Sequence, residues 1–188
     1  MRLNVAVVVV AALMMPAFVR AADSFKIDPV HASVIYRVSH LNVGQAYGRF
    51  DEPTGMVVLD KDDASKNSFT FEVQTSKVDT GNPKRDQHLQ SPDFFDAKQF
   101  PTISFKSTAV KANGDNKFDV TGDLSLHGVT KSITVTVEKT GEADTQMGHR
   151  AGFQTEVDLK RSEYGMNGLQ GAVGDDIHLI IAFEAVKQ

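Results

Sequence analysis

Cysteine is absent from this chain of 188 residues. The protein therefore has no disulfide framework, no thiol nucleophile and no thiolate metal site. A chain of this length suits a single domain, and it is long enough to bury a substantial core. Since no covalent cross-link is available, the stability of the fold must come from that core.

Positive charge is scarce as well. The chain carries 20 Lys and Arg residues against 24 Asp and Glu residues, which gives a formal net charge of −4. Loss of an N-terminal leader with Arg2 and Arg20 would change it from −4 to −6, because two positive charges would leave. Nucleic acids and anionic membranes both attract basic surfaces. The composition thus argues against nucleic-acid binding and against tight electrostatic docking on anionic lipid.

The long apolar run lies at the N-terminus. It follows Arg2 and extends from Leu3 to Val19, interrupted only by Asn4 and Pro16. Small residues at a cleavage-site spacing come next, so we predict a signal peptide over residues 1–21 and a mature domain over residues 22–188. A membrane anchor is the weaker alternative, because a spanning helix needs roughly twenty apolar residues. No cysteine follows the run, which excludes lipid attachment at a new N-terminal cysteine.

Familiar catalytic and metal-binding motifs are also missing. The sequence has no HExxH, His-x-His, GxSxG, SxxK or P-loop pattern. The acidic segment 60–63 begins like a calcium loop, but Ser65 and Phe71 occupy the positions of the required glycine and glutamate. Asp86 and His88 have the chemistry of a base and its orienting partner, yet no nucleophile accompanies them. We therefore predict no catalytic residue and no metal site, although distant histidines can converge in a fold.

From Phe25 onwards, apolar and polar residues alternate with the period of two that is typical of half-buried strands. About eight such segments follow one another, joined by turns rather than by helical crossovers. We predict one of these connections, a polar loop, over residues 141–150. An antiparallel meander of this size closes into a barrel with room for one small ligand. A two-sheet sandwich would show nearly the same pattern, so alternation alone does not separate the two folds.

One stretch, residues 85–108, departs from this alternation. Ser91-Pro92-Asp93 combines a cap residue, a proline and an acid, which together indicate a helix start. Pro101 ends any helix, because proline lacks the backbone donor and restricts the residue before it. We therefore predict a short helical insertion around residues 85–100, whose phenylalanines must lie against something apolar.

The inward-facing positions of the predicted strands carry almost no ionisable side chain. A packed core is the ordinary explanation of such rows. Two features favour a cavity: small residues interrupt the rows at Gly122, Thr155 and Ala185, and the insertion offers an apolar wall that is not a strand. The predicted interior residues, together with two from the insertion, are Val34, Tyr36, Val38, Phe69, Phe71, Val73, Phe94, Phe95, Ile103, Phe105, Leu124, Leu126, Phe153, Val157, Leu179 and Ile181.

Four motifs in sequence order resemble the YceI-like family. The similarity runs from about Phe25 to the C-terminus. It implies a secreted bacterial, lipocalin-like barrel of about eight antiparallel strands that binds a polyisoprenoid lipid, for example an isoprenoid quinone, in the periplasm. The motifs are Arg85-Asp86-x-His88-Leu89, Ser91-x-Asp93-Phe94-Phe95-Asp96, Phe100-Pro101-Thr102-Ile103-x-Phe105-x-Ser107-Thr108 and Gly122-Asp123-Leu124-x-Leu126-His127-Gly128-Val129-Thr130.

These observations predict a non-catalytic protein that sequesters or carries the lipid inside the barrel, with no cofactor besides that lipid. The alternative is a histidine-dependent enzyme, with or without a metal, that acts on a lipid or quinone. The resemblance further suggests a stress-related setting and a transient contact with an inner-membrane cytochrome, and it leaves a homodimer open. Side chains at the cavity mouth that have hydrogen-bonding capacity for a ligand head group are His40, Arg85, His88, Arg161 and Tyr164. Ordinary surface pairs that stabilise turns are the alternative role for these residues.

Overall fold

The computed structural model describes residues 22–188, so the predicted signal peptide lies outside the described residues. No helix in this part of the chain is long and apolar enough to cross a membrane. It contains one short helix, α1 (Pro83–Leu89), and ten strands: β1 (Asp23–His40), β2 (Gly44–Phe50), β3 (Thr54–Leu59), β4 (Ser68–Gln74), β5 (Val78–Asp79), β6 (Thr102–Ala112), β7 (Lys117–Leu126), β8 (Val129–Thr145), β9 (Gly148–Lys160) and β10 (Val173–Lys187).

The ten segments close into a barrel with eight strand positions. Every pairing is antiparallel, and the order runs from β10 through β9, β8, β7, β6, β4 and β3 to β1, which pairs again with β10. Strands β2 and β3 pair with different ends of β1, so together they occupy the place of one barrel strand. Strand β5 pairs with β2 and β4 pairs with β3, so β4 and β5 together occupy the next place. The break between β2 and β3 comes at Glu52, with φ 56°, and the buried Pro53. The predicted antiparallel barrel of about eight strands is confirmed.

Strand register keeps the apolar rows on the inner face. Val34 lies opposite Ile181 and Tyr36 opposite Leu179 in the β1–β10 pair, whereas Arg37 faces His178 on the outer side. Because side chains alternate between faces, one correct register buries the whole row. At one end of the barrel these rows form a dense cluster of Phe25, Ile27, Val57, Leu59, Phe69, Val110, Val120, Val137, Ala151, Phe153, Phe183 and Ala185. This end is called the closed end below.

The tight turn between β7 and β8 shows why its two residues suit it. Leu126 pairs directly with Val129, which leaves His127 and Gly128 as a two-residue hairpin loop with φ values of 51° and 76°. Two positive φ angles match the right-handed twist of paired strands. A side chain at Gly128 would also lie within 3.0 Å of the Phe100 ring. The turn therefore requires glycine at this position, because of its positive φ angle and because the Phe100 ring leaves no room for a side chain.

The predicted helix start at Ser91-Pro92-Asp93 is wrong. Helix α1 begins at Pro83, where the Asn82 side chain accepts from the backbone N–H groups of Lys84 and Arg85. Residues 91–99 form successive turns instead. The Asn82-Pro83 pair carries the same cap-and-proline signal, and it was the one that starts a helix, because its cap accepts two free donors.

The predicted polar loop over residues 141–150 is also wrong. Strands β8 and β9 continue as a paired ribbon until Thr145 meets Gly148. Both faces of most of this ribbon are exposed, so its residues need no apolar alternation. Side-chain bonds hold it instead: His149 contacts Glu142 and Asp144 at 2.8 Å each.

Candidate ligand-binding cavity

An apolar cavity of ≈ 200 Å³ lies along the axis of the barrel. Its wall includes the stretch of β10 from Val173 to Phe183. Ten residues of strand span roughly 33 Å along the strand direction, less when the strand is tilted. The space is therefore long and narrow, a shape that suits a chain-like molecule better than a compact one.

Phenylalanine rings form the floor of this cavity, next to the closed end. The rings of Phe71 and Phe183 lie 5.7 Å apart, and Phe183 stacks on Phe153 at 5.3 Å. Phe69 meets Phe153 edge-on at 6.1 Å. Offset and edge-on contacts of this kind are favourable for aromatic pairs. These rings belong to the dense cluster at the closed end or pack against it.

Above the floor, shorter aliphatic side chains leave the axis empty. Leu179, Ile133 and Val157 point inwards and yet are only half-buried, because their tips face the cavity. On the closed-end side, by contrast, Val120 and Phe153 have 0% and 1% of their surface exposed. Incomplete burial of inward-facing residues thus marks the extent of the empty space.

The segment from Pro83 to Phe100, called the cover below, closes one side of the upper end. Leu89, Phe94 and Phe95 from this segment line the cavity. Phe95 packs edge-on against Phe50 at 5.4 Å, and its backbone N–H donates to the carbonyl of Leu89 at 2.9 Å. The predicted insertion therefore supplies an apolar wall, as expected, although most of it consists of turns.

The connection between β9 and β10 closes the other side, and Arg161 holds it. The guanidinium donates to four backbone carbonyls, those of Met166 (2.9 Å), Gly168 (2.7 Å), Val173 (3.0 Å) and Gly174 (2.8 Å). Arg161 is 4% exposed, and burial lowers its pKa while the Asp175 carboxylate opposes that effect. A guanidinium has five N–H donors, so only one is left for a ligand.

The cover and the β9–β10 connection touch each other. Gly168 lies so close to the cover that any side chain there would collide with the backbone carbonyl of Asp93. His127 completes the contact, since its ring nitrogen Nδ1 donates to the Tyr164 carbonyl at 3.1 Å while the ring packs on Phe100 at 4.7 Å. The upper end is thus closed by turns and side-chain packing rather than by sheet.

The predicted head-group residues are scattered. Arg161 lines the cavity, and Tyr164, 2% exposed, packs behind the wall with Leu124, Leu126 and Met166. Burial raises the pKa of the Tyr164 phenol. The others, His40, Arg85 and His88, are exposed and do not line the cavity.

Two of these exposed residues are engaged in local bonds. Arg85 donates to the hydroxyl and carbonyl of Thr80 at 2.8 and 2.7 Å, and His88 contacts the Asp93 carboxylate at 3.0 Å. These contacts tie the cover to itself and to the end of β5, which matches the turn-stabilising alternative.

All the predicted interior residues except Phe153 line the cavity. Phe153 faces inwards too, but it lies below the floor in the closed-end cluster. Alternation along a strand does not indicate how deep a residue lies along the barrel axis. The alternating rows account for most of the other residues that line the cavity. They are Phe50, Thr70, Leu89, Ser104, Ile133, Val135, Val137, Thr155, Leu159, Met166, Val173, Ile177 and Phe183.

Tyr36, whose ring lines the cavity, has a buried phenol. Its hydroxyl is buried and makes no hydrogen bond within the described residues. The Thr70 hydroxyl, also in the wall, accepts from the Met56 N–H at 3.0 Å, and the Thr155 hydroxyl donates to the Thr136 carbonyl at 2.9 Å. Burial raises the pKa of the Tyr36 phenol well above its usual value; the Asp86 charge adds to this and the Arg85 charge opposes it.

Over residues 22–188, no group of three or more metal-ligating side chains lies close enough to hold an ion. Two of the histidines contact carboxylates: His31 lies 2.8 Å from Asp28, and His178 lies 2.8 Å from Asp158. The acidic segment 60–63 forms a turn in which the Asp60 carboxylate accepts from the N–H groups of Asp62 and Asp63.

A closed antiparallel barrel with an elongated apolar interior defines the class of protein: a lipocalin-like fold built around a cavity. The family follows from comparison. The YceI-like domain matches residues 25–185, and the chain belongs to this family.

Relatives and solved structures agree with this assignment. A UPF0312 protein of Pseudomonas aeruginosa is 37% identical over 171 residues, covering 89% of this chain and 88% of its own. Protein YceI of Escherichia coli is 36% identical over 181 residues, covering 95% and 94%. The Campylobacter jejuni YceI crystal structure has a TM-score of 0.70 at 29% identity, covering 80% of this chain and 89% of its own. A polyisoprenoid binding domain from Saccharophagus degradans has a similar fold, with a TM-score of 0.68 at 14% identity and coverage of 87% and 98%.

Proposed function

We propose that this protein is a non-catalytic carrier that holds an isoprenoid lipid, such as an isoprenoid quinone, inside the barrel. The observation that supports it is the long, narrow cavity, whose wall is almost entirely aliphatic and aromatic. Membership of the YceI-like family and the polyisoprenoid-binding description of the Saccharophagus degradans domain favour the same ligand class. Export to the periplasm through residues 1–21 is part of the proposal.

Burial of the tail provides enough free energy for tight binding. A tail of roughly forty carbons at about −0.3 kcal/mol per heavy atom would gain on the order of −10 kcal/mol once fully enclosed, without any charged anchor. The cavity of ≈ 200 Å³ would have to widen to enclose a tail of that length. Apolar walls supply this energy to any oily chain of suitable width. Length and width of the space would therefore decide which tail fits, and polar groups would decide which head group fits.

Among residues 22–188, no suitable acid–base pair lines the cavity, which favours carriage over turnover. The side chain of Arg161 is committed to backbone carbonyls, and the exposed His88 bonds Asp93 outside the cavity. A general acid or base must lie within hydrogen-bonding reach of the reacting group. The cavity wall offers a tail-binding surface instead.

Entry of the lipid would occur at the upper end. The cover is held by turns, by the Phe95–Phe50 contact and by local bonds, whereas the closed end is held by pairing between strands. Segments with few strand hydrogen bonds open at lower free-energy cost than paired strands. Displacement of the cover would expose the cavity while the barrel stays intact.

A matched pair of tryptophan variants on β10 tests the proposal. Leu179 faces the cavity, whereas its neighbour Ile180 faces outwards and is 40% exposed. Leu179→Trp would fill part of the empty space and should abolish lipid retention, and Ile180→Trp should leave retention unchanged. The measurement is mass spectrometry of a chloroform–methanol extract from natively purified protein, with circular dichroism to verify folding.

An extract from the wild-type protein without any isoprenoid would contradict the proposal. So would a folded Leu179→Trp protein that retains as much lipid as wild type, because the ligand would then lie outside the barrel.

A further inference from the structure

We propose that two loops at the cavity end form a docking surface for the neutral interfacial region of a phospholipid bilayer, from which the lipid would enter and leave the barrel. This inference rests on the proposed carrier function and adds the place where the carrier meets its source of lipid. The docking surface consists of the exposed apolar side chains of Leu41 and Val43, between β1 and β2, and of Leu169, between β9 and β10.

The two loops lie side by side at the rim of the cavity end. The Leu41 backbone N–H donates to the Ala172 carbonyl at 2.7 Å, and the next residue, Val173, lines the cavity. Leu169 directly follows Gly168, the residue whose backbone touches the cover. A membrane that contacts this rim would therefore lie beside the cover through which the lipid is proposed to pass.

A polar cleft of ≈ 310 Å³ also belongs to this rim. Asn42 from one loop and Gln170 from the other line it. The cleft shares Arg161, Met166 and Val173 with the cavity, so the two spaces have part of a wall in common. The docking surface thus borders the cavity rather than an unrelated part of the barrel.

Neither loop carries a charged side chain. Residues 38–48 and 164–174 contain no Asp, Glu, Lys or Arg, although 23% of the whole chain is charged. Loops at the closed end differ: residues 60–63 are Asp, Lys, Asp and Asp, and Asp115 lies between β6 and β7. Charged side chains are costly to place in a bilayer. The net charge of −4 also disfavours attraction to anionic lipid, so a neutral interface fits these loops best.

The two leucines adopt a backbone conformation that leucine rarely takes. The φ angle is 53° at Leu41 and 50° at Leu169, in the left-handed region that glycine and asparagine tolerate best. Both side chains are more than half-exposed, so they gain little packing within the barrel to offset this strain. A contact outside the barrel explains why apolar residues occupy these two positions.

The shape of the docking surface favours a bilayer over a protein partner. A stable protein–protein interface buries roughly 800 Å² on each partner, and three side chains on two loop tips supply much less. A bilayer needs no complementary shape, because apolar side chains enter its interface individually. Tyr47, which lies on the outer face of β2 behind Val43 and is more than half-exposed, is a residue type enriched at membrane interfaces.

Two valine variants test the inference. Val43 is 89% exposed in the docking surface, and Val30 is 81% exposed near the closed end, in the irregular part of β1 between Ile27 and Ala32. Natively purified proteins would be mixed with phosphatidylcholine vesicles and separated by flotation. Val43→Glu should lower vesicle binding by at least about tenfold, because it removes the burial of one valine and adds a charge. Val30→Glu should match wild type.

The double variant Leu41→Asn/Leu169→Asn separates docking from folding. Asparagine suits left-handed backbone, so the melting temperature should equal or exceed that of wild type, while vesicle binding should fall by at least about tenfold. Vesicle binding that persists in this variant and in Val43→Glu would overturn the inference. A lower melting temperature would contradict it as well, since it would assign the leucines to packing within the loops.

The outcomes also separate this inference from the proposed function. If wild type fails to bind vesicles but yields an isoprenoid on extraction, the docking surface fails and the carrier function stands. If wild type binds vesicles and yields no isoprenoid, the carrier function fails, and the loops bind membranes without the assigned role in lipid exchange. A dimer in light scattering that dissociates in Val43→Glu, with no vesicle binding by wild type, would assign the surface to a second copy of the chain instead.

Discussion

The two ends of this barrel are made from the same alternating strands and yet differ in what fills them. At the closed end, Phe69, Phe153 and Phe183 reach across the axis and contact one another. At the cavity end, aliphatic residues such as Leu179 and Val157 stop short of the axis. Protein interiors are normally close-packed. A void remains here because the short side chains do not reach across the width of the barrel.

This difference separates two tasks along one axis. Packed rings at the closed end supply stability, because burial and dispersion are largest where no gap remains. The cavity end gives up part of that packing and replaces it with polar bonds of Arg161 to the β9–β10 connection and with the turns of the cover. The closed end should therefore be more sensitive to loss of volume, and the cavity end to loss of specific bonds.

The largest expected effect comes from removing a ring at the closed end. Phe153→Ala should lower the free energy of unfolding by about 3–5 kcal/mol, because Phe153 is 1% exposed and its ring has contacts on all sides. Phe105→Ala on the cavity floor, where the ring is only half-buried, should cost about half as much. Urea unfolding of delipidated protein measures both. Equal losses for the two variants would remove the distinction between the two ends.

A smaller effect is expected from Arg161→Ala at the cavity end. Four buried or half-buried carbonyls would lose a charged donor, so the free energy of unfolding should fall by about 2–4 kcal/mol. Hydrogen exchange should accelerate first in residues 165–174, while strand amides at the closed end keep their protection.

Arg161→Lys is the matched control for this variant. A lysine keeps the charge but lacks the planar fork that reaches several carbonyls, so its stability should lie between those of wild type and Arg161→Ala. Uniformly faster exchange over the whole barrel in Arg161→Ala would show instead that this residue supports the closed end as well.

The smallest predicted effect concerns pH and the rim of the closed end. Hydrogen bonds from His31, and then from Arg150, lower the pKa of the Asp28 carboxyl from 3.8 to about 2. A depressed carboxyl pKa contributes stability that is fully present above pH 3.8 and is lost as pH falls through about 2. After allowance for solvent screening, this contribution should be on the order of 1 kcal/mol.

Asp28→Asn provides the comparison for the pH effect. Thermal unfolding between pH 5 and pH 2 should show wild type more stable than the variant at the upper end of this range, with the gap closing towards the lower end. A gap that stays constant with pH would assign the effect of the substitution to geometry rather than to ionisation.

The helix and the ribbon show where sequence reasoning was insufficient. Ser91-Pro92-Asp93 and Asn82-Pro83 carry nearly the same local signal, and the structure shows that Asn82 is the cap that accepts two free backbone donors at a helix start. Residues 141–150 lack apolar alternation, yet they pair as strands. They continue the antiparallel ladder of β8 and β9 up to Thr145 and Gly148. Hydrophobic periodicity indicates an element only when one of its faces is buried. Neither of these two segments has a buried face, so periodicity did not identify them.

The amino-acid sequence by itself determined that the fold is all-β and which face of each strand points inwards, because a period of two assigns every residue to one of two faces. The choice of a barrel over a two-sheet sandwich came from the resemblance to the YceI-like family. It also identified the cover as an apolar element through its phenylalanines. Only the tertiary structure decided depth along the barrel axis: Phe153 lies below the floor, Leu179 lies beside the cavity, and Tyr36 lies beneath the cover with an unpaired hydroxyl. Alternation specifies which face of the sheet a side chain occupies but not its position along the barrel axis. The position of the empty space therefore depends on the register and closure of all the strands.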